Sequence, residues 1–132
     1  MFLQSRRLKV SCIVFALFGA FGCTTFLRHL PENTIESKLY KITPLGTSYE
    51  VATNKLAKRF SAIQFDDQNG FEFQGWPEPP RLVGIKSIEV DFGDYSLIPL
   101  FPIVTTSVTA YWGFDHNGKL IEIWVWKCSN SI

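Results

Sequence analysis

Two histidines, His29 and His116, and three cysteines, Cys12, Cys23 and Cys128, are the side chains of this 132-residue chain best suited to nucleophilic or metal chemistry. Nucleophilic catalysis needs a base within hydrogen-bond reach of the nucleophile. His29 lies in a stretch that reads as a tether, and His116 in a turn, where a solvated polar residue is expected anyway. The chain has no GxSxG, HExxH, phosphate-binding loop or CxxC spacing, so the usual frames for acyl transfer, zinc and nucleotide chemistry are missing. Asp66, Asp67 and Glu72 form an acidic cluster around Asn69-Gly70. Asp and Asn beside Gly build turns through local side-chain hydrogen bonds, and that reading is preferred to a metal. Asp91 with Asp94 would serve a hydrolase only if one carboxyl had a raised pKa, and no neighbour in sequence supplies that. The expectation is a chain with no catalytic residues, no metal and no cofactor; an unrecognised hydrolase is the lesser alternative.

Cys23 is the one reactive side chain with a context. Arg6, Arg7 and Lys9 precede an uncharged apolar run from Val10 to Gly22, a length that fits a signal peptide better than a helix of roughly 20 residues. The run ends Ala20-Phe21-Gly22-Cys23-Thr24. Gly22-Cys23 matches a bacterial lipobox, in which a small residue precedes a cysteine that is acylated and becomes the new N-terminus; Ala20 and Phe21 depart from that pattern. Two other readings stand beside it: an uncleaved anchor from Val10 to Leu27, and ordinary cleavage after Gly22. All three place the domain outside the cytoplasm, and the leading cations favour that orientation. With Arg6, Arg7 and Lys9 gone, the 13 basic residues fall to 10 against 12 acidic ones, a net charge of −2. Such a balance gives no reason to expect nucleic acid. Cys128 reads as a small residue on a strand, or as a disulfide partner of Cys23 if that residue is not lipidated.

A binding surface is legible near the C-terminus. Ser107 to Phe114 and Lys119 to Cys128 are β-branched and aromatic runs around Asn117-Gly118, the strongest short-range hairpin signal. A two-residue turn there sets Phe114 opposite Ile121, Trp112 opposite Ile123 and Ala110 opposite Val125 on one face. Tyr111, Trp124 and Trp126 then share the other face with Thr109. Stiff, amphipathic rings of this kind recur in binding hot spots, so these three are the candidate binding residues. The alternative is that Leu97 to Val104, apolar but broken by Pro99 and Pro102, folds back and buries them.

These residues need elements to hold them. Thr47 with Glu50 reads as a capping box, and Tyr49, Ala52, Leu56, Phe60 and Ile63 follow on one helical face, predicting a helix from roughly Ser48 to Phe60. Ile35 to Ile42 is a short helix or an extended arm; periodicity does not decide. Ile63 to Phe65 and Phe71 to Phe73 read as a second hairpin, and Leu82 to Phe92 as a strand with an acidic outer face, ended by Gly93-Asp94. The expected fold is α+β: one main helix packed on a small antiparallel sheet of three to five strands, a two-layer sandwich behind a signal or anchor segment. The expected division is 1–22 signal peptide or anchor, 23–46 lipidated N-terminus and tether, and 47–132 the α+β domain.

The signal followed by Leu45-Gly46-Thr47-Ser48-Tyr49-Glu50-Val51, a helix and late hairpins resembles the small outer-membrane lipoproteins of the SmpA/OmlA (BamE-like) type. Those carry Gly-x-Ser/Thr-x-x-x-Val at a helix start. The resemblance covers the signal and roughly Leu45 to Leu56, and it implies a scaffold or binding lipoprotein of the cell envelope, facing the periplasm. Thr24 in place of Asp after the cysteine implies the outer rather than the inner membrane. The expected function is a non-catalytic, membrane-anchored module that binds a protein, or peptidoglycan, through its aromatic sheet face. The alternative is a periplasmic immunity or inhibitor protein against a secreted toxin.

Overall fold

A computed structural model describes residues 26–96 and 104–131. Two helices come first, α1 (Glu32–Ile42) and α2 (Tyr49–Arg59). Six strands follow: β1 (Ile63–Asp66), β2 (Phe71–Phe73), β3 (Arg81–Val83), β4 (Lys86–Ser96), β5 (Val104–Phe114) and β6 (Leu120–Ser131). Antiparallel pairing in the order β1-β4-β5-β6 makes the main sheet, and β2 with β3 forms a separate two-stranded sheet. The class is α+β, as the sequence implies, but two helices and not one pack on the main sheet. The signal or anchor segment, Cys23 included, and most of Leu97 to Val104 lie outside the described residues.

The helix read from Tyr49, Ala52, Leu56, Phe60 and Ile63 forms with that face inward. Ala52, Leu56 and Phe60 are buried in the core, and Tyr49 and Ile63 pack at its margin. Phe60 meets Phe92 edge to face at 5.3 Å, and Tyr49 meets Phe114 likewise at 5.0 Å. Its cap sits one residue later than the capping box predicts. Ser48 accepts the Val51 amide, while the Thr47 hydroxyl turns back to the Pro44 carbonyl. The Thr47 backbone instead joins the sheet, its carbonyl accepting the Leu120 amide at 2.8 Å.

Residues assigned to a tether belong to the fold. Ile35 and Leu39, four apart on α1, are fully buried with Leu27 beside them. The Thr43 hydroxyl, also buried, donates to the Leu39 carbonyl at 3.1 Å and accepts from Trp112 Nε1 at 3.0 Å. That bond satisfies the one polar atom of a tryptophan otherwise surrounded by apolar groups. α1 also guards the outer edge of β6. Tyr40 Oη accepts the Ile123 amide at 2.8 Å, and Glu36 Oε1 accepts the Val125 amide at 3.1 Å. Side chains thus occupy edge groups that would otherwise invite another strand.

The β5–β6 register is as read at Trp112–Ile123, Ala110–Val125, Tyr111–Trp124 and Thr109–Trp126. It departs at the turn, where Phe114 faces Leu120 and not Ile121 across a shift at Gly113/Phe114. The loop is longer than two residues: the Asp115 amide reaches the Lys119 carbonyl, and Asp115 Oδ1 accepts the Asn117 and Lys119 amides. Gly118 sits at φ 72°, the left-handed position that such a loop requires. Leu120 is therefore buried and Ile121 is 44% exposed.

Two further strand readings are corrected. Ile63–Phe65 and Phe71–Phe73 do not pair with each other; β1 joins β4 and β2 joins β3. The Asp66–Gly70 turn instead carries the chain from the main sheet to the small one. The strand from Leu82 divides at Gly84-Ile85, and its second part runs past Gly93 through a bulge to Ser96. The alternation read there holds: Ile88, Val90 and Phe92 are buried, and Asp91 is exposed.

Candidate binding groove

Helices α1 and α2 cover one face of the main sheet, and the small sheet lies over part of the other. Contact there requires a bare backbone at Gly113. A Cβ on it would stand 2.7 Å from Val83 Cγ1 and 2.9 Å from Phe71 Cε1, closer than carbon atoms pack. Phe71, Val83 and Trp124 form a second buried cluster, with Phe73 and Tyr111 against it.

The three expected binding residues are brought together, but not as one open face. Tyr111 and Trp124 are cross-strand partners with rings 5.4 Å apart at 23°, and Trp126 stacks on Trp124 at 5.5 Å and 16°. Phe71 lies over Trp124 at 6.1 Å and Phe73 at 4.8 Å. Trp124 is accordingly only 7% exposed, while Trp126, beyond the reach of the small sheet, is 37% exposed. The observed cover is β2–β3; Leu97 to Ile103, the cover weighed from the sequence, lie outside the described residues. Burial raises the Tyr111 phenol above its ordinary value, with Glu89 and Asp91 adding to the effect.

Beside the rings runs an open groove of about 390 Å³. Its floor is a single row across the whole main sheet, because Gln64 pairs with Glu89, Glu89 with Tyr111, and Tyr111 with Trp124. Glu72, Gln74 and Phe71 line its other wall, and Trp126 flanks it. Gln64 and Gln74 carry no linear signal; Glu72, read in the acidic cluster, and Glu89, read on the acidic outer face of its strand, meet them only when the strands are aligned. A second groove, of about 430 Å³, lies between α1 and the Phe73–Glu78 turn and contains Glu32, Glu36, Glu78 and Glu122. Arg81 donates to Glu122 at 2.8 Å and lies 3.9 Å from Glu78. Burial pushes the Glu36 carboxyl up against the Val125 amide that holds it down, and Glu32 and Glu122 add to the rise. Trp76, at the lip of this second groove, is 92% exposed.

Of the acidic cluster, Asp66 and Glu72 line the first groove; the other candidates are dispersed. Asp66 accepts the Gln68 and Asn69 amides at 3.0 Å, and these bonds hold its carboxyl below the usual range. Asp91 accepts the Gly93 amide within the bulge. His29 rests on Tyr95 at 4.6 Å between ring centres, and His116 is exposed in the turn. Among the described residues no group of three or more His, Cys, Asp or Glu is placed to hold a metal ion, and no helix is long and apolar enough to cross a membrane. No family model, curated protein or solved structure matches the chain.

Proposed function

We propose that this protein is a non-catalytic lipoprotein of the cell envelope that binds an envelope component through the groove beside Trp126. Acylation at Cys23 anchors it, and the domain faces the periplasm from the outer membrane. What supports the address is the cationic start, the short apolar run and Gly22-Cys23, together with Thr24 and the SmpA/OmlA-like (BamE-like) segment from Leu45. The observation that carries the binding role is Trp126, exposed at the end of a stacked aromatic row and bordering an open groove. Tyr111 and Trp124 act beneath it as its support, Trp124 through its covered ring.

The alternative, an immunity or inhibitor protein, draws on the other groove. Glu32, Glu36, Glu78 and Glu122 with exposed Trp76 would suit a basic site on a toxin. Two experiments test the main reading. Palmitate labelling of intact cells is expected to mark the protein and to vanish in Cys23→Ser; equal labelling of both removes the lipid anchor. A photo-crosslinker at Phe65, which lines the groove and is exposed, is expected to capture a component in cells, with capture lost in Trp126→Ser. Capture that survives this substitution removes the groove from the account.

A further inference from the structure

The groove has a chemical gradient along its floor. At one end stand Gln64 and Glu89, at the other the rings of Tyr111, Trp124 and Trp126. Its size falls in the roughly 300–1,000 Å³ range of small-ligand sites. Among the described residues no Lys or Arg lines it, so a phosphate, a nucleic acid strand or an anionic lipid would meet only repulsion from Asp66, Glu72 and Glu89. A wholly apolar ligand would strand the amides and carboxylates without partners, at a cost of about 1–3 kcal/mol each. Gln64 and Gln74 make no side-chain hydrogen bond to the described residues, which leaves both donors and acceptors for something else.

We infer that the groove takes an uncharged pyranose glycan, its ring face on Trp126 and its hydroxyls on Gln64, Gln74 and Glu89. This rests on the binding-module reading above and names the ligand class of the same site. A pyranose has the two properties that the floor demands together. Its axial C–H bonds form a flat, weakly positive face that suits the electron-rich face of an indole. Its rim carries hydroxyls that both donate and accept, matching amide and carboxylate side chains. A basic peptide is the rival occupant, since Asp66, Glu72 and Glu89 would attract it, but Asp66 is already engaged by the Gln68 and Asn69 amides, and a peptide leaves the carboxamide acceptors and the flat ring only partly used. The Glu-rich groove near Trp76 is the better match for a cation.

The test uses the full acylated protein in a detergent without a sugar headgroup, titrated with a hexamer of N-acetylglucosamine. The four tryptophan indole N–H signals in nitrogen-15 NMR report where binding occurs. Trp124 and Trp126 are expected to shift and saturate, while Trp112, held by Thr43, stays in place; a shift at Trp76, which lines the second groove with Trp124, would put binding there and overturn the inference. Trp126→Ala and Gln64→Ala should each weaken binding about tenfold or more, with the Trp112 signal unmoved as proof of an intact fold. Absence of a saturable shift at Trp124 and Trp126 overturns the inference, as does a shift that survives Trp126→Ala. Stronger binding of an oligolysine peptide at the same two signals also overturns it. If the sugar fails while cellular capture from Phe65 still depends on Trp126, the glycan falls and the binding module stands. If capture is also indifferent to Trp126, both fall.

Discussion

The two faces of the main sheet are finished in different ways. The helix-covered face is a closed apolar layer: Ile88, Val90, Val108, Ala110, Trp112 and Phe114 meet Ile35, Leu39, Ala52 and Leu56, with Thr43 hydrogen-bonded to Trp112 among them. The other face is aromatic and charged, and the small sheet stops short of Trp126. Burying an aromatic side chain stabilises a fold wherever it happens, but an exposed one next to an open groove adds little to stability. The first face therefore explains why the chain folds, and the second is where selection for binding would show.

Substitutions on the two faces should separate these roles. The largest effect is expected from Trp112→Ala, about 3–5 kcal/mol for a fully buried tryptophan, read by denaturant unfolding. A loss below about 1 kcal/mol would mean that the helix-covered face is not the stabilising one. Next comes Gly113→Ala. Its new methyl must displace Val83 and Phe71, and overpacking of this kind costs about 1–3 kcal/mol. Its diagnostic sign is a rise in the exposure of Trp124, measured by acrylamide quenching, as the small sheet lifts. An unchanged Trp124 would show that the two sheets do not depend on close contact at Gly113.

A smaller, pH-dependent effect is expected at Glu36 on the border between the faces. Burial raises its carboxyl above the ordinary value of 4.5, so the folded chain holds the proton more tightly than the unfolded one. Its favourable contribution is then present below pH 4.5 and lost as pH rises through the raised value. In Glu36→Gln the amide oxygen still accepts from Val125 without that loss. The stability of this variant relative to the unaltered protein should rise between pH 4 and pH 7, as followed by melting. A difference that stays flat or falls over that interval would contradict the burial of Glu36.

How much of this was legible depends on whether a signal is local. Strand alternation set Trp112, Ala110 and Tyr111 against their true partners, and helical spacing exposed the buried face of α2. Asp115 defeated the register at Ile121, because its carboxylate gathers the Asn117 and Lys119 amides into a longer loop. Thr47 and Ser48 are both good caps, and the pairing of Thr47 with Leu120 decided between them. α1 shows only Ile35 and Leu39 as buried positions, too few for a periodic signal, and packing defines it. The small sheet misled because Asp-Gln-Asn-Gly turns a chain equally well into a hairpin or into a crossover. The groove was invisible because Gln64, Glu89, Tyr111 and Trp124 meet only when four strands are aligned.

Trp126→Ser should give the smallest effect on stability and the largest on function. Unfolding and crosslinking from Phe65, measured on the same preparation, test the division between the faces most directly. The account predicts a loss of unfolding free energy of about 1 kcal/mol, from the lost stacking on Trp124, well below that of Trp112→Ala, with capture lost. A loss of stability comparable to that of Trp112→Ala, or capture that continues undiminished, would contradict it.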